Sequence, residues 1–316
     1  MPDVYRPPAN LLLPFAHVVT DNVPPHVKHL YTVPSIAKFK ADLDFLCKQG
    51  RSLQIGELEQ LVMLRDCKSV SRTFMLSFDD GMREIYDIIA PILRDRGIPA
   101  IFFLNSATID NKRLMWRHKL GLLIERSIQQ AGRIPPQINL RPGESLCAKI
   151  KAMQFSDEPI LDDIANFFEL DFDEYLRVAQ PYMTSSQVQE LSRAGFEFGA
   201  HSESHPYFYQ LTIEEQKKEI SASVGFIRDL GVPCRHFAFP FHDNGVPSCI
   251  FQHMSELNLV LSFGTSEARL DPVAFSFQRF AIDARHGNPT ISDILKELSV
   301  KSLARRLSRT QLITRS

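Results

Sequence analysis

Two clusters in this 316-residue sequence hold residue types that do chemistry together. The first is the adjacent carboxylate pair Asp79-Asp80, followed by Gly81. The second is His201-Ser202-Glu203-Ser204-His205-Pro206, two imidazoles four residues apart. Histidines at that spacing can bind one metal from a helix face or a compact loop, and Pro206 favours a loop here. One aspartate plus two histidines is a ligand set suited to zinc or a related divalent ion, with open positions for water and substrate. Each cluster alone has a plainer reading. Asp80-Gly81 is ordinary turn chemistry, and paired histidines beside a turn are common surface residues.

The elements around the clusters strengthen the case. An apolar run, Phe74 to Phe78, ends at the Asp pair. Ile85, Ile88, Ile89, Ile92 and Leu93 then recur at helical spacing, Gly97 and Pro99 stop the pattern, and Ala100 to Leu104 is a second apolar run. Strand, helix, strand is the unit of a parallel sheet or barrel, where active sites form at the strand ends. The histidine cluster also follows a short strand, Phe196 to Ala200.

In chain order, residues 1 to 10 read as an unstructured lead-in and Leu11 to Val19 as a buried strand. Ser35 caps a helix to Lys48, and Gly56 to Leu64 is a short helix. Residues 105–182 break the rhythm and read as an inserted, mainly helical subdomain. Its helices run Met115 to Gln129 and Leu161 to Val178, with a loop at 134–145 between them. Trp116, the only tryptophan, reads as a packing residue. Helices from Thr184 and Thr212, the latter with a capping box to Glu215, precede strands at Phe196–Ala200 and Arg235–Phe239. Pro247 to His253 is a short helix, and strands at Leu257–Phe263 and Phe275–Ile282 follow it. Ile291 to Leu307 is a closing helix, which turns basic over 301–316. That tail could lie on an anionic membrane; a solvated face and frayed end is the plainer reading.

Composition is that of a soluble globular protein: 44% hydrophobic, 23% charged, net charge -1. It gives no electrostatic case for nucleic acid. Five scattered cysteines suggest neither a metal pairing nor a disulfide framework. The first residues show no basic flank and no apolar run long enough for a bilayer, which points to the cytoplasm.

In these motifs the chain resembles the polysaccharide deacetylases, metal-dependent carbohydrate de-N-acetylases with a distorted (β/α) barrel. The motifs stand as Ser77-Phe78-Asp79-Asp80-Gly81, His201-Ser202-Glu203-Ser204-His205 and Phe237-Ala238-Phe239-Pro240-Phe241. The likeness spans roughly residues 70 to 283, apart from the insertion. It implies that Asp80, His201 and His205 hold the metal and that Asp79 is the general base. It also implies that the Pro240-Phe241 segment supplies an oxyanion-binding backbone N–H, that of Phe241.

Three features depart from the family pattern, one being His242, which follows Phe241 where the family commonly has Gly. The arginine that orients the base is replaced by Ala238, and Arg279 or, less favourably, Arg235 could supply that charge. The late Leu-x-His motif of the general acid is missing. His17, at the end of the first strand, is preferred for that role over His286 and His242.

The expected activity is removal of acetyl from an N-acetylated sugar in surface-polysaccharide assembly, on an intracellular precursor such as a lipid-linked saccharide at the inner membrane face. Zinc is the first choice of metal; cobalt, nickel, manganese and iron suit the same ligands. An amidohydrolase or esterase for a non-sugar acyl group and a degenerate saccharide-binding barrel are the competitors. A nuclease or phosphoesterase would use a similar ligand palette, but the sequence offers no phosphate-binding basic or glycine-rich loop.

Overall fold

The computed structural model describes residues 10–64, 72–267, 269–283, 285, 287–308 and 312–315. Its centre is a parallel sheet of eight short strands: β1 (Pro14–Ala16), β2 (Leu76–Phe78), β3 (Ala100–Leu104), β4 (Glu197–Ala200), β5 (His236–Ala238), β6 (Leu261–Gly264), β7 (Ser276–Gln278) and β8 (Phe280–Ala281). The spatial order is β7-β6-β5-β4-β3-β2-β1-β8. β7 and β8 are one segment that bends at Arg279, pairing with β6 on one side and β1 on the other. The sheet therefore nearly closes into the (β/α) barrel expected.

Strand pairing is shorter than the apolar runs suggest. Thr73–Phe74 leaves the barrel line to pair with Leu11–Leu12 and Arg51–Ser52 in a small parallel sheet. Leu257 ends the Ser248–Glu256 helix instead of opening a strand. Tilted barrel strands keep only a few residues in register, so buried flanks such as Val18 and Val19 extend the apolar pattern beyond the ladder.

Side chains inside the barrel include Phe103, Phe263 and Phe277, and a second cluster of Phe78, Phe102, Phe198 and Phe237 packs between strands and helices. Helix starts follow the capping residues. Ser35 accepts from Lys38 N, and Thr184 and Thr212 form capping boxes with Gln187 and Glu215.

Residues 105–182 contribute a third core around Trp116, Leu123, Ile164 and Phe168. Its helices are Trp116–Gln129, Leu146–Lys151, Glu158–Phe167 and Phe172–Ala179. The expected single helix from Leu161 to Val178 is thus two. Glu169 takes a positive φ of 54°, and Asp171 caps the second helix through Asp173 N and Glu174 N. An unbroken apolar spacing concealed that break.

The basic end is also different from expectation. The helix Ile291–Leu307 forms, but the chain then returns to the barrel: Ile313 N donates to Leu270 O at 2.9 Å and Ile313 is buried. Arg315 is bound by Asp243 and Asp271, so residues 312–315 pack back against the barrel rather than fraying. Arg309 and the first nine residues lie outside the described residues. No helix among those described is long and apolar enough to cross a membrane.

Candidate active site

β2 hands over directly to Asp79, whose N–H donates to Ala16 O on neighbouring β1 at 3.0 Å. Asp80 and Gly81 then take φ of 74° and 68°. That left-handed pair turns the chain so sharply that the two carboxylates point to different partners. At Asp80, where an L side chain resists this region, the geometry stores strain of the kind found at functional sites.

Asp79 meets Arg279. The guanidinium donates from Nη1 to Oδ1 and from Nη2 to Oδ2, both at 2.7 Å, and from Nη1 to Ser77 Oγ at 3.0 Å. Both side chains are buried, and the Arg279 Cζ lies 4.4 Å from the Phe15 ring centroid. Burial alone would raise the Asp79 pKa; the Arg279 charge, then His201, overrides it and holds the carboxyl below its usual range. Of the two arginines considered from sequence, Arg235 is ruled out by position. It is half exposed at the far end of its strand, paired with Glu59.

Asp80 faces the histidines. Its Oδ1 lies 3.5 Å from His201 Nε2 and 3.3 Å from His205 Nε2. His201 donates from Nδ1 to Ala238 O at 2.8 Å, which leaves Nε2 as a lone pair in the neutral ring. Burial pushes Asp80 up and both histidines down, toward neutral forms. One ligand atom from each residue lies within 4.8 Å of the others, and Asp80 Oδ1 is buried with no hydrogen-bond partner. Three buried acceptors converging on one point, one of them orphaned, fit a divalent cation.

The histidine loop is braced from two sides. Glu219, on the Ile213–Asp229 helix, accepts from Glu203 N and Ser204 N, both at 2.8 Å. Trp116 donates from Nε1 to His205 O at 2.9 Å, so it packs as expected and also supports a candidate ligand. Phe241, with φ 56°, presses its ring edge on His205 at 4.6 Å and stacks on Tyr207 at 3.9 Å. Thr265 Oγ1 donates to its carbonyl, fixing the peptide plane after Phe241.

His17 stands at the end of β1 against Asp283, which sits just past β8. The His17 backbone N–H donates to Asp283 Oδ2 at 2.7 Å, and Nδ1 lies 3.1 Å from the same oxygen. Burial would lower the imidazole pKa, but Asp283, by charge and hydrogen bond, and then Asp80 and Asp79 raise it to about 10. Among the other histidines considered, His242 stacks on Tyr209 and His286 lies outside the described residues. Sequence reasoning missed Asp283 and Glu219. Asp283 carried the same signal as Asp79, a carboxylate straight after an apolar strand. Glu219 carried none, because its role is fixed by a fold contact across 15 residues.

A family model described as polysaccharide deacetylase matches residues 68–258. A search of curated proteins gave no match. Among solved structures, the chain resembles the Streptococcus pyogenes deacetylase PplD in complex with acetate at TM-score 0.60 and 15% identity, over 92% of this chain and 99% of that one. IcaB from Ammonifex degensii gives 0.56 at 14%, over 93% and 97%. A de-N-acetylase from Aggregatibacter actinomycetemcomitans gives 0.56 at 14%, over 90% and 98%. At such identities the structures establish a shared barrel. The family match covers more than half of the sequence, and on that ground the chain belongs to the polysaccharide deacetylase family, as a hydrolase of carbohydrate acetamides.

Proposed function

We propose that the chain deacetylates an N-acetylated sugar in the making of a surface polysaccharide, with Asp80, His201 and His205 holding a divalent metal, zinc by first preference. The observation that carries this reading is the division of labour at the strand ends. One aspartate is clamped by Arg279 while its neighbour turns to two histidines. A divalent ion held there would polarise the acetyl carbonyl and acidify a water.

The remaining steps fall to the chain. Asp79, kept ionised and fixed by Arg279, takes the proton of the attacking water. The Phe241 backbone N–H donates to the oxygen that becomes negative as the carbonyl turns tetrahedral. His17, kept protonated by Asp283, gives its proton to the departing amine, without which the C–N bond does not break readily. The sugar is proposed to be a biosynthetic precursor, a lipid-linked saccharide being the leading case.

Acetate release from N-acetylhexosamine oligomers and lipid-linked precursors tests this, using metal-reconstituted wild type beside Asp79→Asn. The expected outcome is release by the wild type and a fall of roughly 10²- to 10⁴-fold in the variant with metal still bound. Release from small N-acyl amides but from no sugar would overturn the sugar assignment. Stoichiometric metal and saccharide binding without any release would make the barrel a binding module.

A further inference from the structure

The charges of the site are not all used by the proposed chemistry. Asp79 is matched by Arg279, and Asp283 by His17. Arg117, the second residue of the Trp116–Gln129 helix, is different. It has no carboxylate within ion-pair distance among the described residues, and its one hydrogen bond there is a long one, Nη1 to Lys151 O at 3.5 Å. It is nevertheless only partly exposed. Its Cζ lies 5.4 Å from the Trp116 ring centroid and 6.0 Å from that of Phe241. The charge is felt at His205 and at Tyr31, and the Tyr31 ring is 5.2 Å from that of His17.

Arg117 thus lies beside Phe241 of the candidate oxyanion segment, whose ring in turn meets the candidate ligand His205. The Tyr31 hydroxyl is buried with no hydrogen-bond partner among the described residues. Taking a guanidinium out of water without a carboxylate is costly, and burial lowers its pKa here. A guanidinium lying on aromatic faces keeps its edge donors free, in the fork geometry that matches a phosphate or carboxylate. A neutral N-acetylhexosamine polymer offers that fork nothing to neutralise.

We propose that Arg117 binds an anionic group, phosphate or carboxylate, on the acetylated sugar or its immediate neighbour, so that the substrate is a charged saccharide. The inference rests on the deacetylase reading for its reaction but not for its binding step.

The test uses the full chain, metal-reconstituted, in the Asp79→Asn form, with calorimetric titration of three probes. These are N-acetylglucosamine 1-phosphate, an N-acetylhexosaminuronate and the neutral methyl glycoside of N-acetylglucosamine. Adding Arg117→Gln is expected to weaken the phosphate or the uronate by roughly ten- to a hundred-fold, and by at least ten times more than it weakens the neutral sugar. Whichever charged probe responds identifies the anion. Arg117→Lys restores part of the affinity, since it returns the charge without the fork. In the active enzyme the same change appears in KM rather than kcat. Equal weakening of charged and neutral probes, or no weakening, overturns the proposal, as does failure of both charged probes to bind. Charged-probe binding that depends on Arg117, with no acetate released by the wild type, would instead sink the deacetylase reading and leave Arg117 in its role.

Discussion

At the scale of single residues, two ion pairs set opposite protonation states within one site. Arg279 is the reason a buried Asp79 stays ionised. Arg279→Met keeps most of the volume and removes both hydrogen bonds to Asp79, so burial then dominates and the Asp79 pKa rises. A group with a depressed folded pKa contributes stability that is present above its unfolded pKa and lost as pH falls through the folded one. The variant should therefore lose stability at neutral pH by about 3–5 kcal/mol, and the acid limb of its kcat/KM profile should move to higher pH. A profile that drops in height without moving would mean that Arg279 does not tune the base. His17 runs the other way. Its folded pKa is raised, to about 10, so the stability it gains from Asp283 is complete below its unfolded pKa near 6.5 and is lost as pH rises through 10. Asp283→Asn should bring the alkaline limb of acetate release down toward neutral pH, and imidazole titration by NMR would show the same shift. An unchanged alkaline limb would remove His17 from the role of acid.

At the scale of elements, the Trp116–Gln129 helix connects the core around Trp116, Leu123, Ile164 and Phe168 to the site, and its approach is limited by backbone. A Cβ on Gly121 would lie 2.2 Å from His26 O and 2.8 Å from its carbonyl carbon, which no rotamer change relieves. Gly121→Ala should cost about 1–3 kcal/mol in urea denaturation and weaken metal binding, because the displaced helix carries the Trp116 support of His205. Gly225→Ala, in a helix with nothing within 4 Å of the added carbon, should instead stabilise by about 0.8–1 kcal/mol. If both variants behave alike, close helix approach is not what holds this helix in place. The same contrast explains what could be read without the fold. Helix starts at Ser35, Thr184 and Thr212 were legible because a cap is a local hydrogen bond. Asp79, Asp80, His201 and His205 were legible because strand-end residues of ligand type are rare in combination. The close packing at Gly121, the bend at Arg279 that divides one apolar run into β7 and β8, and the Asp283 partner of His17 are tertiary facts. Nothing in local spacing distinguishes Arg279 inside a barrel from an arginine on its surface.

At the scale of the whole molecule, the chain's last described residues are joined to the same ring of loops as its chemistry. Arg315 binds Asp243 and Asp271 together, with Nε donating to Asp271 Oδ1 at 3.3 Å, and its Cζ lies 4.6 Å from the Phe251 ring. The arginine side chain is 3% exposed and both carboxylates are fully buried. Gln278 donates to Asp243 Oδ2 at 2.8 Å and to Asp271 Oδ2 at 3.2 Å. Asp243 is two residues beyond Phe241, and Gln278 directly precedes Arg279. The cluster therefore links the candidate oxyanion segment to the residue that clamps Asp79. A buried ion pair adds little over a well-packed apolar replacement, yet removing one partner strands the other charge. Arg315→Met should accordingly lose about 3–5 kcal/mol in denaturant titration. Combining it with Asp243→Asn and Asp271→Asn should recover much of that, because no unpaired charge remains. If the segment only shields the barrel, the single variant will be destabilised while its kcat at temperatures where it is folded stays at the wild-type value. If it holds the strand-end loops in register, kcat falls in the folded variant as well, and the triple variant regains stability more fully than it regains turnover, since two asparagines lack the charge that fixed Gln278 and the loop after Phe241.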